Sequence, residues 1–153
     1  GTGSALQSGE MQRMSAGSGV THSEFNHSPT DPLRLLQIWI RPERRGIEPG
    51  YEQNPFPRHE RLNRLRLVAS PGGRDGSLHI HQDAAVYVAN LEPGVGLSHE
   101  LAPGRHAWIQ IARGAVVVNG VEMREGDGLA ASEERVLEIR ATEDSELLLF
   151  DLA

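Results

Sequence analysis

Apolar residues along this chain fall in short runs, and most of them alternate with polar ones at the two-residue period of a strand with one buried face. The pattern predicts strands over 33–40 (Leu33-Arg34-Leu35-Leu36-Gln37-Ile38-Trp39-Ile40), 65–68, 78–88, 108–111, 115–118 and 136–139. Leu147-Leu148-Leu149-Phe150 is apolar without interruption, as a strand covered on both faces would be. Gly, Pro, Asn and Asp recur between these runs at intervals typical of sandwiches and barrels. Asn119-Gly120 joins two strand-like runs and predicts a tight hairpin, because both turn residues need a positive φ that Asn and Gly tolerate. No stretch sustains a helical period. The fold class read from the pattern is all-β.

One segment breaks it. Between Arg41 and His59 stand Pro42, Gly46, Pro49, Gly50, Pro55 and Pro57. Proline fixes φ and removes a ladder donor, so 41–59 is expected to be a linker with no central strand. It separates a short piece, 1–40, from a β unit over 60–153 that is large enough to close its own core. The chain opens at Gly1 in mid-pattern, as a piece of something longer would.

Composition narrows the chemistry. With 38% hydrophobic residues, no apolar run of membrane-spanning length and no cysteine, disulfides, thiolate metal sites and cysteine nucleophiles are excluded. The absence of cysteine fits a reducing, cytoplasmic setting. All 15 basic residues are Arg, so lysine chemistry is excluded too. A net charge of −6 speaks against sequence-independent nucleic-acid binding. The arginines from Arg58 to Arg66 are interrupted by Glu60 and by leucines, and read as a solvated strand face.

The densest chemical signal lies in Gly9 to Asn26. If Val20 to Phe25 is a strand, His22 and Glu24 point the same way. An imidazole and a carboxylate on one face suit Fe(II), Mn(II) or Zn(II). The plainer reading is that His22 pairs with Glu24 or a backbone group on a polar face; two ligands are too few for a facial metal site, which wants three. His79-Ile80-His81 is a second candidate pair, but it alternates with Leu78 and Ile80 as a half-solvated strand would. His27, His59, His99 and His106 lie outside any ligand pattern, and Ser23 lacks the flanking glycines of a hydrolase elbow.

Gly9, Ser15, Gly17, His22 and Asn26 follow the order of the second conserved cupin motif, with two extra residues before the histidine and Ser15 at its proline position. More narrowly, Met14-Ser15-Ala16-Gly17-Ser18-Gly19-Val20-Thr21-His22-Ser23-Glu24 resembles the pirin family of two-cupin proteins. Gln37-Ile38-Trp39-Ile40, Tyr51-Glu52-Gln53, His81-Gln82-Asp83, Trp108-Ile109-Gln110 and Leu148-Leu149-Phe150-Asp151 extend the likeness over almost the whole chain. It implies a bicupin: a complete C-terminal cupin barrel at 60–153, without metal because Leu101, Pro103 and Ala107 fall near its ligand positions, and over 1–40 the C-terminal part of a metal-binding barrel. There the family uses three histidines and a glutamate, often around iron. His22 and Glu24 match the last histidine and the glutamate, so this chain offers two of four ligands.

The resemblance implies a metal-dependent dioxygenase of the quercetinase kind, with Fe(II) as cofactor, a flavonol as substrate, and Glu24 as both ligand and proton acceptor. This chain alone would be inactive. The alternative is a non-catalytic regulatory module that binds a protein partner. A third expectation concerns assembly: an upstream segment or a second copy would complete the half barrel, whose strand edges invite pairing. No nucleic-acid or membrane partner is implied.

Overall fold

The computed structural model describes residues 3–153; Gly1, where the pattern opens, lies outside them. Twelve strands, one short α-helix and a 3-10 segment at Pro71–Gly76 are present among the described residues. The N-terminal piece contributes β1 (Glu10–Ser15), which pairs antiparallel with β2 (Gly50–Pro55) as a two-stranded ribbon. After α1 (Arg58–Arg61) come β3 (Arg66–Ser70), β4 (Leu78–His79), β5 (Ala84–Leu91), β6 (Gly96–Glu100), β7 (His106–Arg113) and β8 (Ala115–Val118). The last four are β9 (Val121–Arg124), β10 (Gly128–Ala131), β11 (Val136–Ala141) and β12 (Ser145–Leu152).

Residues 66–152 form two facing sheets, ordered β10-β7-β12-β5-β3-β4 and β6-β11-β8-β9. Ile109 and Ile111 of β7, Leu147 and Leu149 of β12, Val116 and Val118 of β8 and Leu137 and Ile139 of β11 fill the space between them, each no more than 1% exposed. The opposite face of the larger sheet is also covered. Val86, Val88, Leu148 and Phe150 pack there with Phe56, and Met11 of β1 and Ile40 lie against them. The unbroken apolar run 147–150 thus belongs to a central strand with a core on each side, as the sequence predicted. The hairpin at 119–120 is present, with φ of 46° at Asn119 and 84° at Gly120. Asn119 adds side-chain bonds to the neighbouring strand: its Oδ1 accepts from Glu138 N at 2.7 Å and its Nδ2 donates to Val136 O at 3.2 Å.

Several expectations need correction. The supposed linker 41–59 contains β2. Pro49 precedes this strand and Pro55 ends it, so neither ring interrupts the ladder, and a two-stranded ribbon leaves the outer edge of each strand free of ladder partners. The run 78–88 is broken at 80–83 into β4 and β5. Val20 to Phe25 and 33–40 form no strand. Apart from Ile40, their apolar side chains stand in solvent: Phe25 is 81% exposed and Trp39 89%. The arginine cluster is a helical turn and not a strand face, entered at Pro57 with φ −62°. Two cations of the cluster have acidic partners, Arg61 with Glu146 at 2.6 Å and Arg66, which opens β3, with Glu60 at 3.0 Å.

Candidate metal site

The β1–β2 ribbon has two unlike faces. On one, Arg13 reaches Glu52 at 2.7 Å, and the other oxygen of Glu52 accepts the His79 N–H at 2.8 Å. This carboxylate bolts the ribbon to β4. Burial pushes the Glu52 carboxyl up, but the His79 N–H and the Arg13 guanidinium outweigh it and hold the group below its ordinary value of 4.5. A lowered carboxyl stabilises the fold fully above its ordinary value and less as pH falls through the folded one. Glu52→Gln is therefore expected to lower the melting temperature at neutral pH, and the gap to wild type should close in acid below the folded value. A gap that stayed constant with pH would show that charge is not what Glu52 contributes.

The opposite face is built from Glu10, Gln12 and Met14 on β1 and from Tyr51 and Gln53 on β2, with Gln12 opposite Gln53 and Met14 opposite Tyr51. After β1 the chain turns through Gly17, whose φ of 55° favours glycine. A Cβ at this position would collide with the Ile47 carbonyl and with Pro49. The turn closes with Gly19 N–H bonded to Ala16 O at 2.8 Å. Beyond it, the extended segment carries His22 and Glu24 to the ribbon's polar face. His22 Nδ1 lies 4.0 Å from Glu24 Oε1, with side chains 39% and 34% exposed. Glu24 Oε1 also accepts from Gln12 Nε2. Asn26, further on, closes an Asx turn: Ser28 N–H bonds its Oδ1 at 3.1 Å and its Nδ2 donates to Asp31 O at 2.6 Å.

The two residues singled out in the sequence thus meet, although through a loop and not as alternate positions of a strand. As a donor set they suit a divalent ion in kind: one imidazole and one carboxylate, both accessible, and no Arg paired with Glu24. They do not suffice in number. Among the described residues no group of three His, Asp or Glu side chains stands close enough to hold a metal.

The remaining histidines are placed otherwise. The His79 and His81 rings meet at a tilt of 58°, centroids 4.4 Å apart, beside buried Leu78 and Ile80. His106, at the start of β7, contacts Ser132 Oγ at 2.9 Å. His99 shows what the sequence reading passed over. It alternates with Leu97 toward the barrel interior, and its Nε2 lies 3.0 Å from Asp151 Oδ2, with the Tyr87 ring 5.1 Å away. That inward alternation was the available signal; the partner lies 52 residues later. Leu101 and Ala107, near the ligand positions of a metal-binding barrel, are both buried.

The sequence and the fold have relatives among known proteins. A family model for the quercetinase C-terminal cupin domain matches residues 67–152, and the pirin model matches residues 1–40. A quercetin 2,3-dioxygenase of Escherichia coli is 47% identical over 96% of this chain. A pirin-like protein of Caulobacter vibrioides is 39% identical over 95% of it. This chain spans 62% of each of those relatives. The structure of the bacterial pirin YhhW from Escherichia coli in complex with nickel(II) superposes with a TM-score of 0.87 at 48% identity, covering 94% of this chain and 61% of that one. No helix among the described residues is long and apolar enough to cross a membrane. In sequence over nearly its full length, and in a barrel joined to a polar ribbon, this chain belongs to the pirin family of two-cupin proteins.

Proposed function

We propose that this chain forms the larger part of a metal-dependent dioxygenase that cleaves flavonols of the quercetin type with O2. The observation that carries this reading is the meeting of His22 and Glu24, 4.0 Å apart, over a ribbon face whose other side chains, Met14 apart, carry polar groups. Relatives named quercetin 2,3-dioxygenase and a relative holding nickel support it. His22 and Glu24 are two of the metal's ligands, and Fe(II) is the working ion. When bound, the ion supplies Lewis acidity that eases ionisation of a substrate hydroxyl. Glu24 takes up that proton: an accessible carboxylate beside the metal can serve as acceptor as well as ligand.

The rest of the donor set comes from outside the described residues, from an upstream segment of a longer chain or from a second copy. Leu33, Leu35, Leu36, Ile38 and Trp39 are between 45% and 89% exposed, and together with Phe25 they form the surface that the completed barrel would cover. The experiment is oxygen uptake with quercetin and Fe(II), by this chain alone and by a version carrying upstream strands that bear histidines. Uptake is expected only from the longer version, and equal rates from both would defeat the reading. A second reading, a non-catalytic module, draws on the same apolar strip as the seat of a protein partner. In that case binding would survive Glu24→Ala.

A further inference from the structure

Glu24 sits on a segment without strand partners, yet its carboxylate has a defined neighbour. Gln12 belongs to β1, whose backbone is held by the ladder to β2. Its Nε2 donates to Glu24 Oε1, and its Oε1 lies 3.1 Å from the Tyr51 hydroxyl. An amide has one donor end and one acceptor end, and a carboxylate can only accept. The carboxylate itself therefore selects the NH2 end of Gln12.

The Tyr51 hydroxyl also meets Gln53 and Ser4. Gln53 Nε2 donates to Ala5 O and to Glu10 Oε2, both at 2.9 Å, which turns Gln53 Oε1 toward the same Tyr51 hydroxyl at 2.7 Å. Ser4 Oγ lies 2.8 Å from that oxygen. Tyr51 has one proton for two carbonyl acceptors, and a Ser4 donor can satisfy its lone pair. Reversing the Gln12 amide would set its NH2 against the tyrosine and its carbonyl against Glu24, placing two acceptors face to face.

We propose that Gln12 is a positioning residue for Glu24, its NH2 donated to the carboxylate from the paired ribbon. The proposal rests on the reading of Glu24 as a metal ligand. Outer partners that orient ligand carboxylates typically change metal affinity when removed. Here the orienting groups lie on a paired ribbon and the ligand on an unpaired segment, so the ribbon supplies the order that the segment lacks.

The test uses the longer version that carries the upstream strands, with nickel(II) as the probe and two measurements. In the metal-free protein, the Gln12 side-chain amide resonances are followed by NMR; they should move in Glu24→Ala and again in Tyr51→Phe. By titration calorimetry, Gln12→Leu should weaken nickel binding roughly ten- to a hundred-fold and alter the nickel absorption bands. Tyr51→Phe should weaken it by less. Amide resonances indifferent to Glu24 would overturn the proposal, and so would nickel binding and absorption bands unchanged in Gln12→Leu. A longer version, unsubstituted, that takes up no nickel while the Gln12 resonance still follows Glu24 would overturn the metal reading instead and uphold the positioning contact.

Discussion

Exchanging Glu24 for glutamine in a chain whose first barrel is complete should lower quercetin-dependent oxygen uptake at least about a hundred-fold, the lower end of what a positioned proton acceptor contributes. Glutamine keeps the shape of the side chain and an oxygen for Gln12 Nε2, so the contact with β1 can persist. Two properties are lost together: the negative charge that a divalent ion favours and the capacity to take a proton. The fold should not register the change, since the Glu24 side chain is 34% exposed and lies outside both cores. Oxygen-electrode rates at saturating metal, set beside a melting curve, provide the check. Retention of most of the rate would remove Glu24 from the chemistry. A lost rate with a lowered melting temperature would mean that the substitution acts through structure.

Legibility of the chain followed the physics of each segment. Residues 147–150 announced a strand with two cores because burial on both faces leaves no polar position in the run. Asn119-Gly120 announced its turn because positive φ at both residues selects those types. β2 did not announce itself: Glu52 and Gln53 are engaged in polar pairs on opposite faces of the ribbon, so the strand carries no apolar alternation to detect. The run 33–40 misled in the opposite sense. Its composition is that of a buried strand, but pairing depends on a neighbour, and local pattern cannot reveal whether one stands alongside. His22 and Glu24 were found from residue type and spacing. The Gln12 contact that orders Glu24 was not, because it depends on how the loop after β1 folds back over the ribbon.

Replacing Asp151 by alanine should cost about 3 kcal/mol of stability, near the lower end of the range for breaking a buried ion pair. Asp151 stands on β12 of the larger sheet and His99 on β6 of the smaller, so their 3.0 Å contact ties the two sheets together at one end of the barrel. Arg105 Nε donates to the same carboxylate, and its NH2 group bonds the Asp151 carbonyl at 3.0 Å. The hydrogen bond to Asp151 is the main reason the Arg105 guanidinium is held above its usual range, against the opposing effect of burial. Alanine would leave a guanidinium and an imidazole facing each other, with side chains only 22% and 13% exposed. For a domain of this size such a loss lowers the melting temperature by roughly 10 °C. Asp83 also meets Arg105, at 3.0 Å, but is 65% exposed, and Asp83→Ala should cost under about 1 kcal/mol. The contrast between the two aspartates is decisive. Equal and small losses would mean that Asp151 is solvated well enough to be dispensable, and that the apolar layers of Ile109, Leu137 and Leu149 hold the barrel closed without it.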